Sequence, residues 1–322
     1  MDTLNKWEIP KDTLVVAMYE AGQDGFWIAR GMQKLNWRAL VVDPASIPVE
    51  RQARRAKTDR LDVIRLLSSL QGWLRGERSQ MHVVRIPSVE AEAERQLSRD
   101  RGQLQKEVEQ HRDRMRKLLR TVGCWEPVGK QFAQRLAAGT IRGFDGSSLP
   151  VQLSQRFTRE CERLAQAEMQ LAALENDLRG QLPPTVQERI AHLSRLKGIG
   201  VTGATRLILE LFWRRFDNRR QVGSCVGLVP QPYDSGNSRV DQGISKQGNR
   251  RVRSLLVEMA WFWLRYQPDS ALTEWFTRRT AGNANNKRGK RIAIVAVARK
   301  LTIALWRYLN EGVIPAGATL KA

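Results

Sequence analysis

The sequence predicts an α/β region followed by a mainly helical remainder. Two short β-branched runs flank a helix-length segment near the start. The middle is charged, nearly free of Gly and Pro, and apolar only at helical intervals. The rest reads as helices punctuated by glycine. At 322 residues the chain is long enough for two or three domains.

The first run, TLVVAM at 13–18, lies between Lys11-Asp12 and Glu20-Ala21-Gly22 and reads as a buried strand that Glu20 closes. Phe26, Ile28, Ala29 and Met32 follow at near-helical spacing, and WRALVV at 37–42 is a second strand ending at Asp43-Pro44. Strand, helix, strand at this spacing is a βαβ unit with parallel strands. The basic stretch RQARRAK leads to a helix starting near Thr58 and carrying Val63, Leu66, Leu67 and Leu70, and 82–86 is read as a further short strand.

Composition shifts near Ser88. Leu97, Leu104, Val108 and Met115 give the next segment heptad character, and Leu164, Leu171 and Leu178 mark a second long helix within 149–182. Two such helices pair antiparallel within one chain or join two copies, and their pattern fits both. Pro183-Pro184 opens the last region, which runs through Gly198-Ile199-Gly200, a helix to Leu211, a shorter segment near 221–227, a loop around Ser235, and helices over about 249–266 and 288–309. The expected domains are 1–87, 88–182 and 183–322.

The net charge of +21 makes nucleic acid the leading partner, because neutralising phosphates releases counterions; an anionic membrane surface is the rival. No apolar run is long enough to span a bilayer, and the first residues lack a signal-peptide core, so a cytoplasmic location is expected. Cys124, Cys161 and Cys225, like His82, His111 and His192, are too scattered for a zinc site.

Several groups of residues carry possible chemistry. Asp59 and Asp62 share a helical face, and with Glu20 at a strand end they would make an oxygen cage for Mg²⁺ or Mn²⁺; acidic residues in a first helical turn also answer to the helix dipole and to capping. Gly198-Ile199-Gly200 entering a helix resembles a helix-hairpin-helix DNA-binding turn, or is a plain interhelical turn. Ser235 sits in PYDSGNS, where a turn would expose its hydroxyl, with no histidine nearby to build a Ser-His-Asp triad. Arg239, Lys246, Arg250, Arg251 and Arg253, then Lys287, Arg288, Lys290, Arg291 and Arg299, make two basic helix starts, where cations oppose the macrodipole and an anionic partner would relieve the conflict. Lys57 and Arg60 flank Asp59, and with Gly198 and Gly200 they complete the set of expected nucleic-acid contacts. Trp261, Trp263, Trp275 and Trp306 are read as core.

Five stretches carry a resemblance to a known family: MYEAGQDGFWI (18–28), VVDPASIP (41–48), AKTDRLDVIRL (56–66), LKGIGVTGA (196–204) and VGLVPQPYDSGNSRVDQGISKQGNRRVRSLLVEMAW (226–261). In order and spacing they resemble the DEDD-type insertion-sequence transposases, related to the Piv-type DNA invertases and including the bridge-RNA-guided recombinases. The resemblance implies a RuvC-like domain of ribonuclease H fold, a coiled-coil insertion through which copies associate, and a C-terminal transposase domain. It implies that Glu20, Asp59 and Asp62 are the second, third and fourth acidic ligands of Mg²⁺, and that Ser235 is the nucleophile forming a 5′-phosphoserine link. A structured guide RNA pairing with DNA is part of the same expectation. The family's first aspartate has no counterpart here, since only Asp2 and Asp12 precede the Glu20 strand. The resemblance therefore implies a shortened member that binds nucleic acid, catalyses poorly and exposes a sheet edge. A hydrolytic nuclease and a non-catalytic binding remnant are the alternatives.

Overall fold

The computed structural model describes residues 6–10, 12–47, 59–235, 238–281 and 287–321, with the side chains of Asp59, Arg179 and 233–241 outside that set. The chain forms two compact units, Met1–Val89 and Glu90–Ala322.

In the first unit, β1 (Val16–Glu20) runs parallel to β2 (Arg38–Val42), in register from Val16 opposite Arg38 to Glu20 opposite Val42, and α1 (Trp27–Lys34) makes the crossover. The expected βαβ unit is present, but its first strand starts and ends later than the apolar run at 13–18. Hydrogen bonding sets that boundary: the Arg38 amide donates to Val15 and the Ala21 amide to Val42, so pairing continues past Met18. On its other side β2 meets 82–84 antiparallel, through one bridge from Val42 to Val83 rather than a strand over 82–86. Among the described residues β1 pairs only with β2 and is therefore an edge.

The helix α2 (Asp59–Leu74) lays Leu66, Leu70 and Trp73 on the sheet face formed by Val16, Met18, Leu40 and Val42. Val63 and Leu67, apolar by sequence, instead stand exposed.

In the second unit, α3 (Val89–Thr121) and α5 (Val151–Gly180) run antiparallel within one chain, joined by Arg101–Glu175 at 2.6 Å, Arg112–Glu168 at 2.6 Å and His111–Glu160 at 2.7 Å. The two helices thus pair within the chain, one of the two arrangements the heptad pattern fits. At the far end of the pair Met115, Leu119 and Phe157 pack with Phe132 of the short helix α4 (Phe132–Ala137), which the sequence pattern did not reveal.

Glu160 lies buried in the seam between these helices, held by His111, by Arg114 Nε at 3.3 Å and by Arg163 Nη1 at 3.2 Å. Burial alone would raise its pKa, but hydrogen bonds from His111 and Arg114, aided by their charge, hold it below the ordinary carboxylate value. A depressed carboxylate pKa adds stability that is complete above the unfolded value, about 4.5, and is lost as pH falls through the folded value. Glu160→Gln is expected to be less stable than the parent at neutral pH and to lose less further stability on acidification below about 4.5. Thermal melts across that range check this; identical acid dependence in both proteins would show that Glu160 is not the responsible group.

The remainder is a helical bundle of α6 (Pro184–Ser194), α7 (Val201–Glu210), α8 (Arg219–Cys225), α9 (Arg250–Tyr266), α10 (Ala271–Thr280) and α11 (Lys287–Glu311). Its core gathers Leu207, Leu256, Trp263, Val297, Leu301 and Leu305, and the Trp263 indole donates to Ser270 Oγ at 2.8 Å. Trp263 is core as expected and Trp275 and Trp306 pack partly against it, whereas Trp261 is 46% exposed and meets Phe276 edge-on. Among the described residues no helix is long and apolar enough to cross a membrane.

Candidate nucleic-acid interface

The segment read as a loop around Ser235 is a β-hairpin. β3 (Pro230–Ser235) pairs antiparallel with β4 (Ser238–Ile244), from Pro230 opposite Ile244 to Ser235 opposite Ser238. Gly236 and Asn237, between the last pair, lie outside the described residues, as do the Ser235 and Arg239 side chains. A Gly-Asn pair between strands is a hairpin signal, but Pro230, Pro232 and Gly243 are weak strand formers and hid it.

Two glycines fix the base of this hairpin to α8 and α9. Gly227 (φ +66°) and Gly248 (φ +78°) adopt left-handed backbone, and a Cβ on either would overlap a backbone oxygen, that of Gln247 or Cys225 respectively. The Asn249 amide donates to Cys225 O and the Asn249 side chain caps α9 by accepting from Arg251 N and Val252 N. Arg253 Nη1 donates to Val226 O and Gln247 O at 3.1 Å each, and burial followed by the charge of Arg250 lowers its pKa.

Between the hairpin base, α8 and the first half of α11 lies a groove of about 740 Å³. Among the described residues seven cations line it, Arg219, Arg220, Lys246, Arg288, Arg291, Arg299 and Lys300, and no carboxylate does. Leu228, Ile244, Ile292, Val295 and Ile303 supply apolar surface. Arg219 and Arg220 open α8 and Arg288 and Arg291 open α11, so these guanidiniums sit at the positive ends of helices. Lys246 holds a left-handed backbone (φ +56°), unusual outside glycine, and is exposed. Like charges gathered without acidic partners repel, and a polyanion offsets that cost. Lys246, Arg288, Arg291 and Arg299 are among the cations the sequence singles out, whereas Arg219, Arg220 and Lys300 are not; the Arg-Arg pair after the Asn218 cap is the available signal.

The other expected contacts divide by environment. Arg250 and Lys287 are exposed and Lys290 is half-buried. Arg251, though exposed, reaches the buried Glu210: its Nε is 3.5 Å from that carboxylate and its Nη2 donates to Ser98 O, while Ser98 Oγ and Asn249 Nδ2 also donate to Glu210. Arg206 lies beside this group with a pKa lowered by burial and then by Arg251. Arg251 and Arg253 thus brace the fold, a role their place in a basic run does not disclose. Gly198 (φ +85°) and Gly200 make the turn from α6 to α7, Gly200 serving as N-cap without a side-chain bond, and Lys321 Nζ donates to Ile199 O at 2.7 Å.

In the first unit, strand alternation puts Glu20 on the same sheet face as Val16 and Met18, the face α2 covers. Asp62 lies one turn before Leu66 on the covering side of α2, with Arg65 Nη1 3.6 Å from its carboxylate. Asp59 begins α2, Arg60 is exposed, and Lys57 lies outside the described residues. Among the described residues no three His, Cys, Asp or Glu side chains converge as a metal cluster.

A strongly basic, helix-rich chain with a cation-lined groove belongs to the class of proteins that engage phosphodiester backbones. Residues 190–273 match the family described as transposase, IS116/IS110/IS902 family. The chain is 40% identical over 318 residues to y4rJ of Sinorhizobium fredii, a protein named provisionally as a transposase, covering 95% of this chain and 80% of that one. It is 26% identical over 304 residues to the transposase for insertion sequence element IS1328 of Yersinia enterocolitica, covering 93% of this chain and 85% of that one. The chain belongs to the IS116/IS110/IS902 family of transposases.

Proposed function

We propose that this chain is the transposase of an insertion sequence and exchanges DNA strands through Ser235. The observation that carries the proposal is the cation-lined groove at the base of the hairpin whose last residue pair includes Ser235. In this reading Ser235 Oγ attacks a DNA phosphorus, the bond from phosphorus to the 3′ oxygen breaks, and the 5′ phosphate remains esterified to serine. The serine proton is lost to solvent and the leaving 3′ oxygen gains one. Attack by another 3′ hydroxyl on the phosphoserine rejoins a strand and regenerates the serine. Groove cations hold the backbone between the two steps.

The first unit is read as part of a RuvC-like, ribonuclease H type domain; its parallel strand pair and the covering helix that bears Asp59 and Asp62 support this. Glu20, Asp59 and Asp62 would hold Mg²⁺ or Mn²⁺, since all three are oxygen donors and Glu20 and Asp62 share the α2 side of the sheet. A cation bound there would neutralise charge on the phosphate and lower the pKa of an attacking hydroxyl. Pairing of a structured guide RNA with DNA, association of copies along the long helices and a cytoplasmic location belong to the same proposal. A groove that the described residues line with cations and no aromatic ring suits backbone contact and leaves base reading to another strand.

The test is adduct trapping. Protein incubated with its element's end DNA and Mg²⁺, then denatured, is expected to retain covalently bound DNA that peptide mass spectrometry maps to Ser235. Chelation should abolish the adduct, and Glu20→Gln or Asp62→Asn should each reduce it about 100-fold, roughly 2.7 kcal/mol of barrier. Cleavage without an adduct would replace this proposal with hydrolysis, and binding with neither would leave a non-catalytic remnant.

A further inference from the structure

We infer that the groove at the hairpin base holds an unpaired segment of the DNA strand beside the cleavage point, its phosphates on the cations and its bases on the aliphatic floor. The inference deepens the reading of Ser235 as a DNA nucleophile and rests on it.

A duplex presents phosphates and sugars outward and keeps its base faces stacked inside, so a surface that grips duplex backbone needs cations but no apolar floor. This groove has both. Ile292 stands 59% exposed within the α11 turn that carries Arg288 and Arg291, and Leu228, Ile244 and Val295 line the same space. A large aliphatic side chain left in water among guanidiniums gains only if something apolar covers it. The faces of unstacked bases are apolar and carry their own phosphates, which matches both halves of the surface. The volume, about 740 Å³, falls in the range of pockets that enclose small ligands, room for roughly one or two nucleotides and not for a duplex.

Position supports DNA as the occupant. Ile244 pairs with Pro230 at the hairpin base, and Ser235 lies five residues farther along β3. At the rise of a strand that is about 17 Å. At the duplex rise per strand it corresponds to roughly five nucleotides. The opened segment therefore flanks the phosphate that Ser235 would attack. Among the described residues no aromatic ring lines the groove, so the contact with bases that they offer is aliphatic packing, tolerant of sequence.

The experiment measures binding of the full chain to a short labelled DNA strand, the matched duplex and the matched RNA strand by fluorescence anisotropy at several salt concentrations. The DNA strand is expected to bind at least about tenfold more tightly than the duplex. Ile292→Ser, on an exposed helix position, should weaken strand binding about fivefold and leave duplex binding unchanged. Arg291→Gln should weaken both and reduce the salt slope by about one. A 2-aminopurine placed within about five nucleotides of the cleavage site in end DNA should brighten on binding as it unstacks. Equal or tighter duplex binding, tighter RNA binding, no effect of Ile292→Ser on strand binding, or an equal effect on both ligands would each overturn the inference. Circular dichroism confirms that each variant is folded. Strand preference that survives in a protein forming no Ser235 adduct would overturn only the nucleophile, whereas an intact adduct without strand preference would overturn only the groove.

Discussion

Ser235→Ala is expected to abolish strand exchange, by at least about 10⁴-fold or 5.5 kcal/mol of barrier, while DNA affinity stays within about twofold of the parent. Under the proposed mechanism the serine oxygen is itself the group that bonds to phosphorus, so no neighbour compensates for its loss. Affinity resides elsewhere: the cations that hold phosphates lie at the hairpin base and on α8 and α11, five residues of strand away from Ser235. The hairpin supplies the control, because Ser238 is the cross-strand partner of Ser235 and is itself a serine. Ser238→Ala should retain strand exchange within about tenfold. Strand-exchange rates and Kd values for both variants at saturating Mg²⁺ decide the matter. Full loss in Ser238→Ala with activity kept in Ser235→Ala would exchange their roles.

The second large effect concerns the backbone beneath the site. Gly248→Ala is expected to destabilise the second unit by about 3 kcal/mol or more, lowering Tm by roughly 6–12 °C. Two costs combine. A left-handed φ of +78° disfavours any Cβ by about 1–2 kcal/mol, and this Cβ would overlap the Cys225 carbonyl oxygen, forcing apart the turn that anchors the hairpin. Gly243→Ala separates the costs, since its φ is also positive (+81°) but nothing lies within 4 Å of an added Cβ. That variant should lose only about 1 kcal/mol. Equal melting temperatures for the two would show that the Cys225 carbonyl yields freely and that the hairpin base is softer than its geometry indicates.

Features with a local cause were legible before any coordinates. The LVV run of β2 reads as a strand because it is buried on both faces, and Asn249 marks the start of α9, where its side chain accepts from the amides two and three residues on. The spacing that lines up Val108 and Met115, and Leu164, Leu171 and Leu178, likewise predicts two long helices. Family membership was legible too, because motifs at both ends of the chain agree in order and spacing. The hairpin around Ser235 was not: its strands are poor in β formers, and their pairing depends on partners supplied across the turn.

The sequence by itself determined the βαβ start, the long helices, the excess of positive charge and the family, since each follows from neighbouring residues or from a sum over the chain. Only the tertiary structure decided which way the charges face. Arg251 and Arg253 belong to the same basic run as Arg250, yet their guanidiniums are engaged by Glu210 and by the carbonyls of Val226 and Gln247 respectively. Arg219, Lys246, Arg291 and Lys300, far apart along the chain, meet in one groove because α8 and α11 pack together beside the hairpin base. A guanidinium can donate to a buried carboxylate, a carbonyl or a phosphate, so its sequence neighbours cannot say which it will meet; the packing of distant helices does.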